Sequence, residues 1–382
     1  MEILAIVALL FLVIGASLYL LICVDPNSPG LLGIMNRFVF NTIPAIFRKI
    51  LGERIFKIFQ GAINYFFYSN HPLVQIFYVF VAVGGYLVYV YFGFLELFDD
   101  NPYVSHLDTA IGSAMALFCF YSFFQACRYK PGIITKENNK DYQNEFKEYY
   151  DNVVYLKDNQ CKTCNIIKPA RSKHCRVCNV CVSRFDHHCV WIRQCVGQKN
   201  YKYFVKFIIT HAILCDYGAY LGFRCIWGIV VQEELLKAQF RDPVTKQRLQ
   251  ATWGIIIKYL FYKNTMYIFI VILCIVMGIA LTSFALYHLF MIGQDTTTND
   301  KMKRSDFLNF FDEETQRLEK QLKNAKNQEE IKEVSIKLEQ VKSCQKRIIP
   351  IKTIGVWKGL KKVFNEPDEL EQKIKIKNKK KQ

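Results

Sequence analysis

The sequence predicts an all-α integral membrane protein whose helical spans are joined by basic segments, one of them crowded with cysteine. Three observations carry this. The chain has 382 residues, is 52% hydrophobic, and yet bears a formal net charge of +17. That combination fits apolar spans flanked by basic cytosolic loops. The apolar residues come in runs of about 20, the length a bilayer core requires. Runs of that length exclude nucleic-acid binding as the reason for the charge, so no nucleic-acid partner is expected. Finally, seven of the 14 cysteines fall between residues 161 and 195.

Taken in order, Ile3 to Val24 is the first apolar run. It lacks a positive start and a small-residue cleavage site, so it reads as an anchor rather than a removable signal peptide. Residues 31–68, including IPAIFRKILGERIFKIF, mix apolar and basic side chains as an interfacial helix does, or form a long loop that partly extends the second span. Val74 to Leu95 and Leu107 to Cys127 form the next two spans, joined by an acidic link holding Glu96, Asp99 and Asp100. Phe204 to Val231 is a weaker span, interrupted by Lys206, Asp216 and Arg224, and Tyr267 to Met291 is the clearest. Asp216 and Arg224 lie on one helix face, where they could form a buried pair lining a cavity. The simpler reading has Arg224 reaching the lumenal edge alone.

The tail from 292 opens with GQDTTTND and continues in a helical stripe of Leu318, Leu322 and Ala325, then Ile331, Val334, Leu338 and Val341. A break at Asn327 to Glu330 predicts a helical hairpin or two short helices. The tail ends in KIKIKNKKKQ, which has little apolar surface to bury. Its last residues, Lys379 to Gln382, resemble a dilysine retrieval signal, the basis for expecting residence in the endoplasmic reticulum or Golgi; a basic tail attracted to anionic lipid has the same composition. No internal repeat is evident. Five regions result: an anchor with an interfacial segment (1–73), a pair of spans (74–127), the cysteine-rich segment (128–203), a second pair of spans (204–291) and the tail (292–382).

Loop charge orients these regions. The 25–73 loop holds Arg37, Arg48, Lys49, Arg54 and Lys57, whereas the 96–106 link has no Lys or Arg. The positive-inside rule then puts the N-terminus outside and the loop, the cysteine-rich segment and the tail in the cytosol. The link from 232 to 266 would be lumenal, although Lys237, Arg241, Lys246, Arg248, Lys258 and Lys263 run against the rule. A cytosolic cysteine cluster stays reduced, so metal binding or catalysis is expected there rather than disulfides.

Residues 161–195 read CKTCNIIKPARSKHCRVCNVCVSRFDHHCVWIRQC. Cys161 and Cys164 make one CxxC pair, Cys175 and Cys178 another, and each pair turns tightly enough to aim two thiolates at one ion. Two closed tetrahedral zinc sites need eight ligands, and the window offers seven cysteines and three histidines. Two sites of three cysteines and one histidine leave one cysteine and one histidine over. The spare pair is the reactive one, because a thiol bound to structural zinc is not free to attack. His187 and His188 are neighbours and cannot easily serve the same ion. Whichever is spared is held near Cys189, where it could take the thiol proton while Asp186 orients it. A two-zinc module without chemistry, as in adaptor domains, satisfies the same spacing.

These residues resemble the cysteine-rich domain of the DHHC protein S-acyltransferases, or palmitoyltransferases. The match runs through Cys161, Cys164, Lys168-Pro169, Arg171, His174-Cys175, Cys178, Cys181, Asp186 to Cys189, Trp191, Cys195 and Gly197, and continues at Asn200 and Phe204. Thr297 to Asp300 is similar to the family's TTxE motif, with Asp for Glu. Gly355, Val363 and Phe364 are similar to its aromatic C-terminal motif. The chain departs from the family pattern at Val190 (usually Pro), Arg193-Gln194 (usually Asn-Asn), Lys130 before Pro131-Gly132 (often Asp) and Gly359 (usually Asn).

The resemblance implies a four-helix transmembrane core with an extra N-terminal span and a cytosolic zinc domain between the second and third core helices. It further implies that Cys161, Cys164, His174 and Cys181 hold one structural zinc, and Cys175, Cys178, His188 and Cys195 the other. Asp186, His187 and Cys189 would form the catalytic triad. The implied reaction moves a palmitoyl group from palmitoyl-CoA to Cys189 and then to cysteines of membrane-associated proteins. The basic surface would attract CoA phosphates, with no single residue assignable. Two other classes compete: an inactive membrane-anchored zinc scaffold, which the complete Asp-His-His-Cys row disfavours, and a transporter, for which the spans are too few and unrepeated.

Overall fold

A computed structural model describes residues 30–69, 71–91, 101–241, 247–325 and 327–365. The expected first span, the acidic residues of the 96–106 link and the basic end lie outside the described residues. In chain order the helices are α1 (Leu31–Arg37), α2 (Ile43–Tyr68), α3 (Leu73–Val88), α4 (His106–Arg128), α5 (Asn139–Glu145) and α6 (Tyr201–Gln232). They continue with α7 (Trp253–Lys263), α8 (Thr265–Gly293), α9 (Thr298–Asn324), α10 (Gln328–Arg347) and α11 (Val356–Asn365). Among the described residues, Leu73–Tyr91, His106–Arg128, Tyr201–Gln232 and Thr265–Gly293 are long and apolar enough to cross a membrane. The chain forms two compact units, residues 1–124 with 206–285 and residues 125–205 with 286–382.

In the first unit, small residues let helices approach closely, the usual device where lipid removes the hydrophobic drive for helix association. A Cβ on Gly222 would collide with Val271, and one on Gly218 would press on Cys274. The G-x-x-x-G face of α6 therefore lies against α8. Several polar side chains are paired off: Ser122 with Thr210 at 2.8 Å, Tyr78 with His211 at 2.5 Å, and Asn101 Nδ2 with the Cys225 carbonyl at 3.0 Å. The possible Asp216–Arg224 pair is not formed, and Arg224 does not reach out alone. Arg224 pairs with Asp108 of α4 at 3.2 Å, while Asp216 accepts a 2.8 Å bond from Thr282 of α8. Neighbouring helices supply partners that a single-helix pattern cannot reveal.

The second unit departs from all-helical structure in the cysteine-rich segment, which is built of short strands: β1 (Ile133–Ile134), β2 (Gln160–Cys161), β3 (Ile166–Ile167), β4 (Lys173–Cys175), β5 (Val180–Val182), β6 (His187–Cys189) and β7 (Gln194–Val196). Strands β2–β3, β4–β5 and β6–β7 are hairpins of one design. In each, a cysteine faces the residue five positions on: Cys161 opposite Ile166, Cys175 opposite Val180, Cys189 opposite Gln194. Each turn contains a residue in the left-handed region at the same place, Asn165 (φ 52°), Asn179 (φ 54°) and Arg193 (φ 53°). The three hairpins recur every 14 positions (175 − 161 = 189 − 175). This is an internal repeat that counting ligand types did not reveal.

The hairpins are anchored by close backbone approaches. A Cβ on Gly197 would fall 2.5 Å from Val182 Cγ1 and 2.7 Å from the Pro131 carbonyl, so only glycine fits. Gly132 takes φ 91°, open to glycine without strain, and its carbonyl accepts from Ser183 N at 2.9 Å. Beyond them α9 and α10 form a helical hairpin, with Asn327 capping α10 through Glu330 N at 2.8 Å. Val154, Phe311 and Ile348 make a small core that ties this hairpin to the chain ahead of β2. Helix α11 docks on the end of α8: the Ile354 and Gly355 amides donate to the Gly293 carbonyl, and Gly359 lies on Ile292.

Candidate active site and metal centres

Strand geometry sorts the ligands. Successive side chains on a strand point to opposite faces, so β4 can send His174 one way and Cys175 the other. The sulfur and ring-nitrogen atoms of Cys161, Cys164, His174 and Cys181 converge, as do those of Cys175, Cys178, His188 and Cys195. In the first set His174 Nδ1 lies 3.5, 3.4 and 3.8 Å from the sulfurs of Cys161, Cys164 and Cys181. In the second, His188 Nδ1 lies 3.6, 3.3 and 3.7 Å from Cys175, Cys178 and Cys195. Zinc bonds of about 2.3 Å to sulfur and 2.0–2.1 Å to nitrogen at tetrahedral angles require S···N edges of about 3.6 Å. The two Cys₃His clusters fit two zinc ions on size and donor chemistry.

The same alternation answers which histidine is spared. His187 and Cys189 share one face of β6, and His188 points to the other. His187 Nδ1 bonds Asp186 Oδ2 at 2.7 Å, and the ring also hydrogen-bonds Cys189. Asp186, with a fully buried side chain, accepts two more bonds from α9: Thr298 N at 2.8 Å and Thr298 Oγ1 at 3.3 Å. Burial works against its charge, but the His187 hydrogen bond and charge and the Thr298 amide hold it down to about 2. Burial likewise opposes the imidazolium of His187, yet its bonds to Asp186 and Cys189 hold it up to about 10. For Cys189, burial raises the pKa but is outweighed by His187 and by the Ile192 and Trp191 amides, so the thiol falls below its usual range. The arrangement favours a thiolate–imidazolium pair backed by a carboxylate.

Several contributors carry no role legible in the sequence. His288 is 1% exposed, accepts or donates a 2.9 Å bond with the Tyr201 hydroxyl, and faces the His187 ring at 6.3 Å between centroids. Phe204 contacts both imidazoles edge-on. Arg171, buried, gives Nε to Asp300 Oδ2 at 2.7 Å and Nη2 to the Asp295 carbonyl at 2.8 Å. Asp300 in turn completes a capping box with Thr297 at the start of α9. The P-x-R and TTxE-like motifs are thus halves of one network that aims Thr298 at Asp186. Gln194, one departure from the family pattern, donates to the Ala126 and Tyr129 carbonyls and ties β7 to the end of α4. Arg193, the other, sits at the left-handed position that Asn tolerates best. Lys168, Lys173 and Lys303 line a cavity of about 310 Å³ in the same unit.

Helices able to span a bilayer, two Cys₃His clusters and a cysteine–histidine–aspartate row define a membrane protein with a zinc-organised thiol site. Residues 155–305 match the model of the DHHC palmitoyltransferase family. The chain is 30% identical over 308 residues to palmitoyltransferase swf1 of Schizosaccharomyces pombe, covering 78% of this chain and 80% of that one. It is 28% identical over 284 residues to palmitoyltransferase swf1 of Emericella nidulans, covering 72% of this chain but 65% of that protein's length. It is 26% identical over 297 residues to palmitoyltransferase ZDHHC4 of Bos taurus, covering 77% and 83%. The chain belongs to the DHHC palmitoyltransferase family.

Proposed function

We propose that this chain is a protein S-palmitoyltransferase with Cys189 as the acyl carrier, His187 as proton carrier and Asp186 as the group that orients and charges His187. One observation carries the assignment. Of the seven cysteines in residues 161–195, Cys189 alone belongs to neither ligand cluster, and it is bonded to a histidine that is itself bonded to a buried carboxylate. In the first step the Cys189 thiolate attacks the thioester carbonyl of palmitoyl-CoA and CoA leaves as its thiolate, taking the His187 proton. In the second, His187 removes the proton from a substrate cysteine, whose sulfur attacks the acyl-Cys189 thioester and restores the Cys189 thiolate. Thioester exchange is nearly balanced in energy, so the protein's contribution is mainly position and a ready thiolate.

Each zinc, when bound, supplies a closed structural cross-link with no open coordination position. Lys168, Lys173 and Lys303 are well suited to CoA phosphates: burial and then repulsion from Lys168 lower the Lys303 pKa, a strain that an anion relieves. The positive-inside pattern of the loops supports a cytosolic position for the zinc domain. The similarity of Lys379 to Gln382 to a dilysine retrieval signal supports residence in the endoplasmic reticulum or Golgi, and the substrates would be membrane-associated proteins with cytosolic cysteines. Labelled palmitoyl-CoA incubated with the purified protein should give hydroxylamine-sensitive label on the wild type and none on Cys189→Ser. Label at wild-type level on that variant overturns the assignment.

A further inference from the structure

The β6–β7 hairpin repeats the two metal-binding hairpins in every respect but one. Cys189 stands in register with Cys161 and Cys175, the first cysteines of the two CxxC turns, and it shares their cross-strand partner position. Arg193 repeats the left-handed residue of Asn165 and Asn179 within 2° of φ. The backbone amide three residues on points at the sulfur in all three turns: Cys164 N to Cys161 Sγ at 3.4 Å, Cys178 N to Cys175 Sγ at 3.4 Å, and Ile192 N to the Cys189 sulfur. The difference lies at that third residue. Where Cys164 and Cys178 supply a second thiolate, the third turn has Ile192, 2% exposed.

We propose that residues 189–192 are a third metal-knuckle turn that has lost its second ligand, and that Ile192 is the positioning residue that keeps Cys189 a free nucleophile. This rests on the reading of Cys189 as acyl carrier. The histidine and fourth-ligand positions of the repeat fall on Lys202 and Ile209, so the third copy has no ligand set of its own. What it retains is the turn, whose amides are fixed toward the sulfur. His187 is bonded to that same sulfur, so restoring one thiol at 192 would bring two sulfurs and an imidazole together, the donor number of an open zinc site. The side chain at 192 thereby decides between chelation and catalysis on an otherwise identical frame.

The test is Ile192→Cys in the full chain, purified in detergent with zinc, with Ile192→Val as the control. Metal per chain is counted by elemental analysis and acylation by hydroxylamine-sensitive label from palmitoyl-CoA. The expected result is three zinc ions per chain for Ile192→Cys against two for wild type and Ile192→Val, with label at least tenfold lower in Ile192→Cys than in Ile192→Val. Adding Cys189→Ser to Ile192→Cys should return the count to two, which shows that the third ion uses Cys189. A count of two with undiminished label overturns the proposal. Three ions with undiminished label overturns it too, and distinguishes its failure from a correct knuckle: Cys189 would then not be the acyl carrier. Should Ile192→Cys fail to fold, Ile192→His supplies a different donor at the same position and is read by the same two measurements.

Discussion

Asp186 is enclosed on all sides and takes three hydrogen bonds, one from the histidine it serves and two from Thr298. Its charge, not only its shape, holds His187 in the protonated form. Asp186→Asn should therefore leave the fold and metal content intact while lowering the labelling rate by about 100-fold or more, as loss of a triad carboxylate does elsewhere. Equal rates for the two proteins would remove Asp186 from the mechanism. Arg171 poses a different problem, because its charge is buried and is met by Asp300 and Asp295. Asp300→Ala leaves that charge with only the more distant Asp295 carboxylate at 4.0 Å and should destabilise the protein by up to roughly 3–5 kcal/mol, visible as a fall in melting temperature. Replacing both members, Arg171→Met with Asp300→Leu, should recover much of the loss, whereas a purely additive penalty would argue against an ion pair.

At the scale of elements, the hairpins explain why the departures from the family pattern are tolerated. Gln194 replaces an asparagine but reaches the carbonyls at the end of α4, so β7 remains tethered beside the site. Gly359 stands where the family usually has asparagine, and here α11 lies so close to α8 that a Cβ would sit 2.8 Å from the Ile292 carbonyl carbon. Gly359→Asn, which brings back the family residue, should thus destabilise this chain by about 1–3 kcal/mol through overpacking, read by thermal unfolding. A neutral or stabilising effect would mean that α11 shifts freely on α8. The cap of α9 is a second element-scale hinge. Thr297 both caps the helix and bonds the Phe185 carbonyl, and Thr297→Ala should cost roughly 1 kcal/mol in stability and also slow labelling, because Thr298 follows it in the same turn.

For the molecule as a whole, the active site has no rigid framework of its own. Cys189 and His187, the nucleophile and base proposed above, lie on a two-stranded hairpin of three-residue strands, a unit too small to be stable in isolation. His188 and Cys195, paired across that hairpin, belong to the second cluster, so the metal that the cluster fits is what closes it. Stripping zinc with a strong chelator should abolish labelling in step with metal release and open residues 155–200 to protease. Labelling that outlasts the release of both ions would separate the chemistry from the metal.

The spacing of cysteines and histidines was enough to fix the composition of both ligand sets and to leave one Cys and one His over, because metal knuckles are local turns whose ligands recur at short, fixed offsets. The apolar runs were likewise enough for the four described spans, since a bilayer imposes its length on the chain itself. Which histidine is spared depended on β6 being a strand, where alternate residues share a face, and that followed only from its pairing with β7. Long-range pairing also decided the partners of charged residues: Arg224 found Asp108, Asp216 found Thr282, and Arg171 found Asp300. None of these is a neighbour in sequence, so no periodicity encodes them. The 14-residue repeat was present in the letters throughout, but its third copy lacks the second cysteine, and only identical backbone geometry marks it as a knuckle.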